Sequence, residues 1–299
     1  MWFKNLVIYR LPRAAGEADE LDRRLAAQAL QPCGGFQMES RGWVCPHEDG
    51  LFVHRQNRHW LIALGEEQKL LPASVIRQEA EDRAEVIARE QGHPLGRKQM
   101  RDLKAQVLNE LLPRALVRRR VTRAWIDAAG GWLAIDTSGE AKAEQFMEIL
   151  RRSDDSLAAR RLETERSPAS ALASWLAAGE APGAFTIDQD LELRANDGSK
   201  ATVRYARHDL GGREIRDHLS SGKVVVQLGL TWNDRISLVL NDQLQVKRLS
   251  FLDILKREGD TEVEDDNEQF ELDFALMTGE LALMLRDLTE ALGGEKSRD

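Results

Sequence analysis

The sequence predicts an α+β (mixed α/β) protein: antiparallel sheets with flanking helices and one αα-hairpin. Three observations carry that expectation. Short runs rich in β-formers, separated by Asn, Asp and Gly, recur in both halves of the chain. Two helical patterns stand side by side around Gly92-His93-Pro94. Near the C-terminus, Phe270, Phe274, Met277, Leu281, Leu285, Leu288 and Leu292 recur at helical spacing and form one apolar stripe.

In chain order, Trp2 to Arg10 reads as a strand, with Phe3, Val7, Ile8 and Tyr9 as β-formers. Ala18 to Leu30 reads as a helix, with Leu21, Leu25 and Ala29 on one stripe and a stop before Pro32. Gly42 to Leu64 predicts two or three short strands, the clearest from His59 to Leu64. Ser74 is expected to cap a helix that starts near Val75 and runs to Gln91. The second arm of the hairpin runs from Arg97 to Leu112 and ends before Pro113.

After Pro113 the period shifts. Arg118 to Asp127 and Trp132 to Asp136 read as a hairpin that turns at Gly130-Gly131. Ala141 to Arg152 is an amphipathic helix with Ala143, Phe146, Met147 and Leu150 inward. Arg160 to Pro168 is polar and turn-rich, as a domain boundary would be. Then come a short helix, Ala169 to Ala178, and a hairpin of Leu191 to Ala195 with Ala201 to Ala206 across Asn196-Asp197-Gly198. Glu214 to Ser221 is a short helix, followed by a meander of Lys223 to Leu230, Arg235 to Leu240 and Leu244 to Phe251, turning at Asn233-Asp234 and Asn241-Asp242. Glu262, Glu264, Asp265, Asp266 and Glu268 read as a solvated helix start.

A chain of 299 residues suggests about two domains and needs no covalent staples. Cys33 and Cys45 are its two cysteines, too few for a disulfide framework or a four-thiolate metal site. No signal peptide and no membrane span are expected, which points to the cytoplasm. No catalytic or cofactor motif appears, and no cofactor is expected. Gly222-Lys223 imitates the end of a phosphate loop, but Val224 replaces its Ser/Thr. His54 and His59 are read as structural. Asp127 and Asp136 end neighbouring strands; a Mg²⁺-dependent nucleic-acid enzyme would use them, although strand-end Asp residues are more often turn formers.

Net charge is −8, yet charge is segregated. Pro94 to Arg123 holds nine bases (Arg97, Lys98, Arg101, Lys104, Arg114, Arg118, Arg119, Arg120 and Arg123) against Asp102 and Glu110, a net of +7. Asp253 to Asp299 is −10. Arg97, Arg101 and Lys104 step along one helix face with Lys98 beside them, apart from the buried stripe of Met100, Leu103, Val107 and Leu111. Strand period places Arg118 and Arg120 on one side, and Arg119, Val121 and Arg123 on the other. Such a run attracts a polyanion whatever the net charge. Trp125 is its lone aromatic neighbour, which favours duplex backbone contact over stacking on single strands. The competing readings are a solvated helix face, or a protein-interaction module that docks a basic partner on the acidic C-terminal face.

Several phrases resemble the recombination-associated protein RdgC family. They are WFKNLVIYRL at Trp2–Leu11, LLPASVI at Leu70–Ile76, LLPRA at Leu111–Ala115, WID at Trp125–Asp127, GKVV at Gly222–Val225, KRLSF at Lys247–Phe251, DFALMTGEL at Asp273–Leu281 and LGGE at Leu292–Glu295. The resemblance spans the chain in order. It implies a DNA-binding protein rather than an enzyme. Specifically, it implies a ring-shaped homodimer around a positively charged hole, nucleoid-associated, binding double-stranded DNA without strong sequence preference and restraining the RecA recombinase. Single-stranded DNA is a further expected ligand. The resemblance also implies a central domain (1–73 plus 113–165), a protruding helical tip (74–112) and a base domain (166–299). Arg114 and Arg118 match the family phrase LLPRA-x-x-R. Arg207 and Asp209 fall in a stretch similar to the family's lysine-rich base loop, where His208 departs from the usual polar amide; Arg204 and Lys223 are neighbours. Arg119 and Arg120 extend the basic run beyond the family pattern. A two-fold ring would turn each basic patch into two facing patches.

Overall fold

A computed structural model describes residues 2–11, 16–252 and 265–296. Strand β1 (Leu6–Arg10) sits in the middle of one antiparallel sheet to which twelve strands belong. On one side, β1 pairs with β6 (Trp132–Ile135), beyond which lie β5 (Leu116–Asp127), β4 (His59–Leu70) and β2 (Glu39–Val44). On the other side it pairs with β12 (Gln245–Phe251), followed by β11 (Ile236–Asn241), β10 (Lys223–Trp232), β8 (Phe185–Ala195) and β9 (Thr202–Tyr205). Strands β3 (Val53–Gln56) and β7 (Arg160–Arg161) attach to β4 and β1.

The alternation of β1 shows why the sheet carries helices on both faces. Leu6 and Ile8 enter one core, where α5 (Pro168–Ala178) and α7 (Asp266–Ala291) supply Leu172, Trp175, Phe274, Met277, Leu281 and Leu285. Val7 and Tyr9 enter the other, against Leu21 and Leu25 of α1 (Ala18–Ala26) and Phe146, Met147 and Leu150 of α4 (Glu140–Ser153). The apolar stripe expected on the last helix is this buried face, with Phe270 partly buried at its start. The short helix α6 (Arg213–Ser220) buries Ile215. Helices α2 (Ala73–Gln91) and α3 (Arg97–Leu111) are inserted between the paired strands β4 and β5. They share a small core of their own, built on Ala80, Ala84, Leu103 and Val107.

Local expectations fail where tertiary pairing wins. Helix α1 stops at Ala26 rather than Leu30, because the backbone of Gln28 and Leu30 exchanges hydrogen bonds with Trp43 (3.0 and 2.8 Å). Gly42 permits that approach: a Cβ there would lie 2.5 Å from the Leu30 backbone. Ser74 lies inside α2; the flanking residue is Pro72, and no side chain caps that end. Strand β4 runs six residues past Leu64, because β5 accompanies it along its whole length. The Gly130 turn forms as expected, folded over Asp127, whose Oδ1 accepts the Gly130 N–H at 2.8 Å. The hairpin turn at Asn233-Asp234 has φ of 49° and 53° at its two residues, the signature of a type I′ turn. Of the acidic cluster, Glu262 and Glu264 lie outside the described residues.

Candidate nucleic-acid interface

Helix α3 carries the first basic row. Arg97, Lys98 and Arg101 are exposed and Lys104 is partly buried, while Leu103 and Val107 face α2. The two acids of this stretch do little to neutralise it. Asp102 lies 3.8 Å from Arg101, and both side chains are exposed. Glu110 is held by Arg83 of α2 at 2.6 Å, and the hydrogen bond from Arg83 keeps its carboxyl below the usual range. The partner of Glu110 therefore comes from outside the basic segment. A short 3-10 turn, Leu112–Arg114, ends on the exposed Arg114 and delivers the chain into β5.

Strand β5 carries the second row, and here the structure separates residues that the sequence groups together. Arg118, Arg119 and Arg120 are all exposed. Arg119 stands opposite Glu67 of β4 and donates to its Oε1 from Nε (3.1 Å) and Nη2. The Glu67 side chain is 7% exposed, and its Oε2 accepts the Cys33 N–H at 2.8 Å. The Arg119 hydrogen bond, followed by that N–H, lowers the Glu67 pKa. Arg118 donates to the neutral amide of Gln68 at 2.8 Å and keeps its net charge. Arg120 lies in register with Glu66 but forms no ion pair among the described residues, while Glu66 lies 4.0 Å from Arg41. Arg123 is partly buried. Arg119 is thus a buttress of the β4–β5 ladder, and Arg118 and Arg120 are the cations the strand offers.

The remaining three residues sit elsewhere. Arg204 is on β9, Arg207 follows it with φ of 54°, and Lys223 opens β10 and donates to Ser221 at 3.3 Å. Six strands separate β5 from β9 along the sheet order, roughly 34 Å at ordinary strand spacing. One chain therefore presents two basic sites, one on α3–β5 and one on β9–β10.

Asp127 and Asp136 do not come together. Asp127 pairs in register with Trp132, and Asp136 N–H bonds to the Arg123 carbonyl, four positions back along β5, which is about 13 Å. Asp127 accepts the Ala129 and Gly130 N–H groups; Asp136 accepts those of Lys4 and Asn5. Burial raises the Asp136 pKa against the pull of these N–H groups. Both act as backbone clasps, and among the described residues no group of three or more metal-ligating side chains is assembled. His54 is buried against Asp49 (2.9 Å), and His59 accepts the Trp125 indole N–H (3.2 Å). Their structural reading holds.

The acidic last helix is largely committed internally. Glu280 binds Arg235 at 2.9 Å, Asp287 accepts the Trp232 indole at 3.0 Å, and Glu271 lies 3.5 Å from His54. Sequence reasoning missed the buried Lys69, whose ammonium donates to the Gly35 and Leu112 carbonyls (both 2.8 Å) and ties the foot of the helical pair to the sheet. It also missed the exposure of Leu116, Val117 and Val121.

The family model described as "Putative exonuclease, RdgC" matches residues 1–295. The chain belongs to the RdgC family. A recombination-associated protein RdgC of Dechloromonas aromatica is 48% identical over 299 residues, covering 99% of this chain and 98% of the relative. One from Cupriavidus pinatubonensis is 47% identical over 297 residues, covering 99% of each. One from Herminiimonas arsenicoxydans is 46% identical over the whole of both chains. Two descriptions meet on this RdgC chain: the model's wording speaks of an exonuclease, and the relatives are named for recombination. Among its described residues, no helix is long and apolar enough to cross a membrane.

Proposed function

We propose that this RdgC-family chain binds double-stranded DNA through the phosphate backbone, without reading sequence. In this reading it encircles the duplex as a ring-shaped homodimer and restrains RecA-dependent recombination on the nucleoid. The observation that carries it is the composition of the α3–β5 surface. Arg97, Lys98, Arg101, Arg114, Arg118 and Arg120 are exposed there, and their local acids are few or held by other residues. An acidic chain that keeps such a surface open presents a local positive field to a polyanion. The clasped, separated Asp127 and Asp136 argue against the Mg²⁺ nuclease alternative.

In the proposed assembly, the helical pair α2–α3 is the tip, residues 1–73 with 113–165 are the central part, and residues 166–299 are the base. The distance between the α3–β5 and β9–β10 sites suits a phosphate-lined passage closed by two chains better than one compact patch. The test is topological. A complex on covalently closed circular duplex should survive a salt wash that strips an identical linear duplex. Equal loss from both forms would remove the ring, and failure to shift random-sequence duplexes would remove DNA binding.

A further inference from the structure

Strand β5 is longer than its neighbour on one side. Strand β6 pairs only with Ala124–Asp127, and the Asp136 N–H to Arg123 carbonyl bond closes the ladder. On that side Leu116–Thr122 meets no strand among the described residues, while β4 covers the other edge throughout. An open edge of this length is a template for pairing.

Its two faces are chemically different. On one face, Val117 (47% exposed) and Val121 (41%) flank Arg119, whose guanidinium is drawn back toward β4 by Glu67. That leaves two bare β-branched side chains beside the edge. On the other face stand Arg118 and Arg120, exposed and without a carboxylate partner among the described residues, beyond Leu116 at 76% exposure. Pairing with the same strand of a second copy would set arginines against arginines, which is unfavourable.

We propose that the free edge of β5 docks an extended segment of an acidic partner protein by strand addition. That segment alternates acidic and β-branched apolar residues. Its carboxylates meet Arg118 and Arg120 on one face, and its apolar side chains cover Val117 and Val121 on the other. Main-chain hydrogen bonds supply the attachment, and the period-two match supplies the selectivity.

The test uses the full chain without DNA, so its outcome is independent of the duplex reading. The probes are two capped heptapeptides of equal composition and charge, Glu-Val-Glu-Val-Glu-Val-Glu and Glu-Glu-Glu-Glu-Val-Val-Val. The alternating peptide should bind at least tenfold more tightly. It should also slow amide hydrogen exchange within residues 116–122, where the block peptide leaves exchange unchanged. Arg118→Glu with Arg120→Glu should weaken the alternating peptide at least tenfold. Equal binding of the two peptides, protection at another sheet edge, no protection at all, or insensitivity to the double substitution would each overturn the proposal.

Discussion

Arg119 and Glu67 face each other across the β4–β5 ladder, and the carboxylate between them also receives the Cys33 N–H. This one pair divides a run of three arginines into a structural member and two free members. Arg119→Gln should therefore lower stability, because it strips a mostly buried carboxylate of its charged partner. Arg118→Gln with Arg120→Gln should leave the melting temperature within a degree or two. Thermal unfolding of the two variants checks this; equal destabilisation would place all three arginines in one class.

The same pair sets an acid response. The folded-state pKa of Glu67 lies below the ordinary carboxylate range, and that of Glu110 does too, through Arg83. The stability they contribute is present above the unfolded carboxylate pKa and is lost as pH falls through the lowered folded values. Asp136 works in the opposite sense. Burial raises its pKa, so its charge is a cost above the raised value, relieved as pH falls. Glu67→Gln should flatten the acid limb of a stability–pH curve, and Asp136→Asn should steepen it. Identical limbs in all three proteins would contradict these assignments.

Neutralising Arg118 and Arg120 removes two phosphate contacts from the proposed surface. Duplex affinity should fall on every sequence alike, and the log–log salt slope should become shallower by about 2. Arg119→Gln should change the slope by less than half as much. Filter-binding titrations at several salt concentrations separate these outcomes.

The α2–α3 pair rests on a core separate from the two large ones. Leu103→Ala should cost about 2–4 kcal/mol locally. Hydrogen exchange should then quicken across residues 73–111 while β1, β6 and β12 keep their protection. Uniform loss of protection through the sheet would show that the pair is not an independent unit.

Labelled duplex incubated with Mg²⁺ should remain intact, because Asp127 and Asp136 are held apart by their own backbone clasps. Metal-dependent cleavage lost in Asp127→Asn would restore the exonuclease reading.

The elements that packing and period both dictate were legible in the sequence. The stripe from Phe270 to Leu292 is the buried face of the last helix because its spacing had one solution. The turns at Gly130 and Asn233 were legible because their residues suit the backbone they adopt. What escaped depends on contacts distant in the chain. Nothing around Ala26 announces that Gln28 and Leu30 will leave a helix to pair with Trp43. Alternation assigned Arg119 to one face of β5, but only the register with β4 shows Glu67 waiting there. The basic run itself needed no structure to be seen. Its division into tethered and free cations did.

The most direct test of the central claim is duplex binding by the full chain, with stoichiometry from sedimentation, across a range of salt. If two chains surround one duplex and neutralise about eight phosphates, log K falls with log salt at a slope near −7, whatever the sequence. A slope near −1, or one chain bound at a preferred site, would contradict the account.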